Sequence, residues 1–264
     1  MIVRATRDEQ DEILNYLAQD VENCLYLYLD IYQYGIGSDT VSVWYEKNGE
    51  NFALVALRYF DCLQVYSKDN DFDESELLRL VQETGVTKVR GTRPCIEAIE
   101  QAFEGKFAAE YGAVLEKVHA RDFGELFDRV EEAKPEDLPE VVNLLLMDER
   151  NQKSYSYDSL LKSLENLQKT GSGRTYILRE GDVIVASETV AAESDLFIIT
   201  ANLITHPDYR HLFYGTVVES YVYKVMKKDR RLFTFVVEPR RRKMLEAQGN
   251  PVITEYGKLL QVKR

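Results

Sequence analysis

The hydrophobic positions of this chain change period several times, and each change marks an element. In the second half, apolar residues recur at helical spacing over 136–148 and over 157–169, where Leu160, Leu161, Leu164 and Leu167 share one face. Gly171-Ser172-Gly173 then breaks the pattern. β-rich runs follow over 174–179 and 183–191, joined by the tight turn Glu180-Gly181-Asp182. A long strand runs from after Asp195 to Thr205. Residues 207–210 read as a loop, 216–228 as a helix, 231–237 as a strand, 239–247 as a helix and 252–263 as a terminal strand or hairpin. The predicted order, α-α-β-β-β-α-β-α-β, makes a mostly antiparallel mixed sheet flanked by helices. The first half gives a poorer version of it. Helices fall at 7–18 and 21–33, strands at 40–47, 51–59 and 62–66, then a helix at 74–84, a strand at 86–91, a helix at 94–103 and a strand at 110–118.

The halves also match at a shift of 128 residues: Ala5, Glu12, Asn15 and Leu17 recur as Ala133, Glu140, Asn143 and Leu145. In both copies a short apolar strand precedes acidic residues and then an apolar-periodic helix. Acidic groups in a first turn suit the positive end of a helix. A length of 264 residues is comfortable for two domains. The expected organisation is a domain over 1–118, a linker over 119–128 and a second domain over 129–264.

Composition narrows the options. A formal charge of -12 argues against a general nucleic-acid or anionic-membrane binder, because phosphate-rich surfaces would repel the chain. Cys24, Cys62 and Cys95 are odd in number and form no Cys-x-x-Cys pattern, so they read as buried free thiols of a reducing cytoplasm. His119, His206 and His211 are the only histidines and none pairs at helical ligand spacing, so no metal is expected. No signal peptide or membrane span is visible; apolar runs such as 141–147 are too short to cross a bilayer.

The most informative stretch is Asn202-Leu203-Ile204-Thr205-His206-Pro207-Asp208-Tyr209-Arg210-His211-Leu212-Phe213-Tyr214-Gly215-Thr216. A strand ends, a Pro-containing loop turns, and a helix begins with an apolar stripe at Val217, Val218, Tyr221, Val222, Val225 and Met226. Thr216-Val217-Val218-Glu219 fits a capping box, which puts the helix start at or just before Thr216. Such a loop aims backbone N–H groups and the positive helix end at one point, a ready anion site. From His206 to Lys243 there are ten Lys/Arg and four Asp/Glu, a local excess of positive charge in an acidic chain. Arg240-Arg241-Arg242-Lys243 is its densest part, and a solvated helix face is the plain alternative there.

The stretch resembles the pyrophosphate-binding motif of the GNAT acyltransferases: an apolar strand, a Pro, then Arg/Gln-x-x-Gly-x-Gly/Ala opening a helix. Arg210 takes the Arg position and Gly215 the last Gly; Phe213 stands where the family has its middle Gly. The resemblance covers 129–264 and implies acetyl-CoA as cofactor. The pantetheine arm would pair with the backbone of Leu203 and Thr205, around Ile204, in a splay between the strand ending at Thr205 and the strand 231–237. The pyrophosphate would meet the N–H groups of His211, Leu212, Phe213, Tyr214, Gly215 and Thr216. The whole chain then reads as two GNAT-like domains, α/β (α+β) in class, the first a degenerate copy. Where the first half should carry its phosphate loop it has Asp69, Asp71, Asp73, Glu74 and Glu76, which would repel pyrophosphate. Its aromatic run, including Tyr26, Tyr28, Tyr32, Tyr34 and Trp44, reads either as the wall of a cleft or as ordinary core packing.

Other family landmarks are altered. Glu238 stands at a position often held by Asn, and Leu245 where a Tyr usually protonates the departing thiolate. Glu238 and Glu188 are the candidate general bases, with Glu193 a further carboxylate on the same hairpin strand. The reading favours an N-acetyltransferase acting on an amine of a small molecule or peptide. A non-catalytic CoA- or ligand-binding module is the alternative. Aminoacyl transfer from tRNA, as in Fem-type tandem folds, is disfavoured by the acidic chain and the lack of a long helical hairpin. The acceptor and the acyl length are not encoded legibly, and a homodimer is left open.

Overall fold

A computed structural model describes residues 1–262; Lys263, the end of the predicted terminal strand, and Arg264 lie outside the described residues. The first half contains β1 (Val3–Arg4), α1 (Gln10–Ala18), α2 (Leu25–Tyr34), β2 (Val41–Asn48), β3 (Asn51–Tyr59), β4 (Cys62–Tyr66), α3 (Glu74–Thr84), β5 (Lys88–Thr92), α4 (Arg93–Ala102) and β6 (Phe107–Glu116). The second contains β7 (Val130–Glu132), α5 (Leu138–Leu145), α6 (Glu149–Ser154), α7 (Tyr157–Thr170), β8 (Arg174–Glu180), β9 (Val183–Glu193), β10 (Phe197–Thr205), α8 (Tyr214–Met226), β11 (Arg231–Val236), α9 (Pro239–Ala247) and β12 (Val252–Gln261). The predicted elements form within a few residues of their expected ends. Local chemistry explains this. Ser156 caps α7 by accepting the Ser159 N–H at 3.2 Å, Gly171 ends it in the left-handed conformation, and Leu160 and Leu164 are buried between. Two features were not expected: α6, and a 3-10 helix at Gly124–Arg129 that begins within the segment read as linker, 119–128.

The chain divides into two compact units that are not consecutive segments. The first holds Met1–Val114, Val236–Arg242 and the residues from Val252 on; the second holds Leu115–Phe235 and Lys243–Pro251. The terminal strand β12, which the sequence pattern gave to the second half, thus belongs to the first unit. There it pairs antiparallel with β5, Tyr256 opposite Thr92 through Leu260 opposite Lys88.

The same pairing pattern occurs in each unit. In the first, β1 to β4 are antiparallel neighbours and β4 pairs parallel with β5. In the second, β7 to β10 are antiparallel neighbours and β10 pairs parallel with β11. Each is a mostly antiparallel mixed sheet flanked by helices. In the first unit Leu54, Leu63, Val65, Leu77, Val89, Ile96 and Leu259 form one core. The aromatic run of α2 packs within this unit, with Tyr28 stacked on Tyr32 and Tyr34 on Tyr59. In the second unit α8 lays Val217, Val218, Val222 and Met226 on one sheet face against Leu178, Ala186 and Ile198. Helices α5 and α7 cover the other face through Val141, Leu145, Leu160 and Leu164 against Ile177 and Ile184. Each buried Val, Leu, Ile or Met among these contributes about 1.5–3 kcal/mol. Among the described residues no helix is long and apolar enough to cross a membrane.

Candidate functional site

Within the second unit, β10 pairs with β9 out to its last residue, Thr205, but with β11 only along its first part. Its parallel ladder with β11 runs from Phe197 opposite Arg231 to Thr200 opposite Thr234 and stops there. Ala201 to Thr205 therefore present an open backbone edge on that side. On the other side, against β9, the register shifts between Ala201 and Ile204. Asn202 sits at φ +56° inside this bulge, the left-handed region that Asn tolerates better than most residues. The splay implied by the resemblance lies between these two strands, and Leu203 and Thr205 are on the stretch of β10 beyond the ladder. The bulge was not anticipated; an Asn inside an apolar strand was its only signal.

The loop after β10 leads straight to the start of α8. Pro207–Leu212 is a 3-10 turn, and Phe213 follows in the left-handed region at φ +59°. Helix α8 begins at Tyr214, so the capping box expected at Thr216-Val217-Val218-Glu219 does not form. Glu219 is instead buried, its carboxylate 2.8 Å from the Lys117 ammonium, with both side chains 4% exposed. Thr216 lies inside the first turn. No side chain caps α8, and its first turn carries no acidic residue. The orphan N–H groups of that turn and the positive end of the helix dipole are thus left for another acceptor. In the first unit the corresponding strand-to-helix connection is closed: the Asp73 carboxylate accepts the Glu76 N–H at 3.2 Å at the start of α3. The parallel ladder of β4 and β5 also runs nearly the whole length of β4, Cys62 to Val65.

Two residues fix the shape of the loop. A Cβ on Gly215 would lie 2.3 Å from Thr205 Oγ1, so only glycine lets α8 approach the end of β10 this closely. Phe213 keeps the left-handed backbone that a glycine favours and turns its ring outward, 64% exposed. Arg210, His211 and Leu212 are exposed on the same loop, while Ile204 is buried. Tyr214 anchors the helix start: its hydroxyl donates to Glu180 at 2.5 Å and Arg129 lies over its ring. The Arg129 hydrogen bond holds the Glu180 carboxyl below the usual range.

The candidate bases fare differently. Glu188, 2% exposed on β9, lies opposite Tyr176 on the sheet face that α8 covers, next in sequence to Ser187, which pairs with Ile204 just past the bulge. Glu193 is held by Arg174 at 2.5 Å and Arg230 at 3.0 Å, so its charge is spoken for structurally. Glu238 belongs to the first unit, and its carboxylate accepts the N–H groups of Arg240 at 2.8 Å and Arg241 at 2.6 Å. It is a helix cap. Arg242 of the basic run pairs with Glu255 at 3.2 Å. Leu245 is fully buried, 0% exposed, so no proton donor occupies that position. What the sequence did not show is the pairing of Lys117 with Glu219 and the bulge at Asn202. A lone Glu within the apolar stripe of α8 was the available signal for a buried partner.

No protein-family model matches the sequence, and no curated protein matches it. Solved structures do. A GCN5-related N-acetyltransferase from Sphaerobacter thermophilus superposes with a TM-score of 0.63 at 11% identity, covering 98% of this chain and 94% of its own. A GCN5-related N-acetyltransferase-like protein from Streptococcus suis gives 0.59 at 13% identity, covering 97% and 100%. A tandem GNAT protein from the clavulanic acid biosynthesis pathway gives 0.54 at 11% identity, covering 98% and 97%. Identities this low speak for the fold, and coverage this high speaks for nearly the whole chain: it carries the fold of the GNAT acetyltransferases, tandem members included.

Proposed function

We propose that the second unit is an acyl-CoA-dependent N-acyltransferase that moves an acetyl or other small acyl group to an amine of a small molecule or peptide. One observation carries this reading. The open edge of β10 beyond Thr200 leads directly into a helix start that has neither a side-chain cap nor an acidic first turn. An extended amide-bearing arm fits the first feature and a pyrophosphate the second. The residues that would hold the cofactor are Leu203 and Thr205 by backbone pairing, and His211 to Thr216 by their N–H groups with Arg210 beside them. Bound acetyl-CoA would supply an acyl group activated as a thioester.

The chain's own groups would do the rest. Backbone N–H groups between Leu203 and Thr205 can polarise the acyl carbonyl in a water-poor setting. Glu188 can take the proton of the attacking amine, directly or through a water. With Leu245 buried, the leaving thiolate would take its proton from solvent. Leu245 is also the observation that favours the second reading, a module that binds CoA or another ligand without turnover.

Calorimetry with acetyl-CoA tests the binding step. Binding is expected below about 1 mM, within the usual range for such substrates, and Gly215→Trp is expected to abolish it. No binding by the parent protein would refute the proposal. Thiol release over a panel of amines separates the two readings, since turnover with any amine eliminates the second.

A further inference from the structure

A cleft of about 430 Å³ opens in the second unit beside the last turns of α8. Four cations line it, Arg121, Lys224, Lys227 and Lys228, against one carboxylate, Asp122. Asp122 is engaged in its own loop, where Oδ1 accepts the Gly124 N–H at 2.9 Å. Among the described residues none of the four cations forms an ion pair, although the chain has 45 acidic residues against 33 basic ones. Like charges gathered without counter-charges repel one another. The negative end of a helix offsets this for Lys224 and Lys227, but Arg121 lies on another segment and Lys228 follows the helix.

Two of the lysines are held by rings rather than by carboxylates. Lys224 Nζ lies 5.0 Å from the centroid of Phe127. Lys227 Nζ lies over the Tyr223 ring at 4.9 Å and donates to its hydroxyl at 2.7 Å; that hydroxyl in turn donates to the Val118 carbonyl at 2.8 Å. The Arg121 backbone is tied to α8 through the Ser220 hydroxyl. Positive charge is thus gathered in a concavity, with two of its ammonium groups seated on rings, and left without an anion. The volume falls in the range of small-molecule sites, about 300–1,000 Å³.

We propose that this cleft binds a phosphate-bearing small molecule through a diphosphate-type group. A single carboxylate would leave most of the positive charge uncompensated, whereas a diphosphate offers several acceptor oxygens to the three ammonium groups and the guanidinium. The site is separate from the loop at the start of α8.

Inorganic pyrophosphate is the probe, titrated into the full chain by calorimetry and by amide NMR. Binding is expected, with chemical-shift changes at residues 120–122 and 223–228. Lys224 and Lys228 are exposed, so the double variant Lys224→Glu, Lys228→Glu should fold normally. It should lose about tenfold or more in pyrophosphate affinity, as expected when charge-assisted hydrogen bonds are removed, and keep its acetyl-CoA affinity. Gly215→Trp should lose acetyl-CoA affinity, and with it any pyrophosphate held at the start of α8, yet keep the pyrophosphate-induced shift changes at residues 120–122 and 223–228. Unchanged pyrophosphate affinity in the double variant overturns the proposal. So does loss of acetyl-CoA affinity together with pyrophosphate in the Lys224→Glu, Lys228→Glu variant, which would make the cleft part of one cofactor site. If acetyl-CoA does not bind the parent protein, the functional reading fails while the pyrophosphate comparison still decides this one.

Discussion

Phe213 adopts a backbone conformation that costs a side-chain-bearing residue about 1 kcal/mol and costs glycine nothing. Phe213→Gly should therefore leave stability unchanged or raise it by about 1 kcal/mol, read by urea denaturation, because the exposed ring gives up little packing. Gly215 is the opposite case. Gly215→Ala puts a methyl against Thr205 Oγ1 and should cost about 1–3 kcal/mol. Thr205→Ala in the same chain removes the clashing oxygen, so the double variant should recover most of the loss; additive losses would show that the contact is not the cause. Asp30, in the first unit, makes a pH prediction. Burial pushes its carboxyl up to about 7, against the lowering effects of the Gln64 hydrogen bond and the Arg90 charge. Below pH about 4 both folded and unfolded chains hold this proton. As pH rises toward 7 the unfolded chain releases it while the folded chain keeps it, so stability falls, by a few kcal/mol at most. Asp30→Asn should flatten that slope between pH 4.5 and 7.5; an unchanged slope would assign the pH dependence elsewhere.

At the scale of elements, α8 is tied to the segment after β6 by more than apolar contact. The Lys117 N–H donates to Leu232 of β11 at 2.8 Å while its ammonium meets Glu219 of α8. Removing one partner strands the other charge in the core. Lys117→Met and Glu219→Leu should each cost about 3–5 kcal/mol, whereas the double apolar variant should be close to neutral. Chemical denaturation of the three variants reads the cycle. Near-neutral single variants would mean that water reaches the pair. The contrast between α8, with no side-chain cap, and α3, capped by Asp73, is also an element-level fact. It is why the functional reading is placed on the second unit alone.

For the whole molecule, the division into units predicts the result of truncation. Ending the chain at Asn250 removes β12, and with it Tyr256 and Leu259 from the first unit's interior. Hydrogen exchange should then lose protection at Val65 and Val89, whose neighbours include the missing strand's core residues, while Ile198 and Leu232 of the second unit keep theirs. Equal loss in both units would show that they unfold as one.

The sequence by itself determined where the elements lie, because hydrophobic period and turn chemistry are local: the leucine face of α7, the Gly181 hairpin and the strand-loop-helix around Arg210 all stand where the pattern puts them. It also determined the class of fold, through the order of those elements and the repeat. It misplaced Glu219, since a carboxylate three residues after a Thr satisfies the capping pattern whether or not a lysine distant in the chain claims it. It could not assign β12 to the first unit, because alternation marks a strand and says nothing of which neighbour it will pair with. Tertiary structure alone decided that the ladder of β10 and β11 ends at Thr200, that Phe213 is left exposed, and that four cations meet in one cleft. Each depends on register and packing between segments far apart in the chain, which no local pattern records.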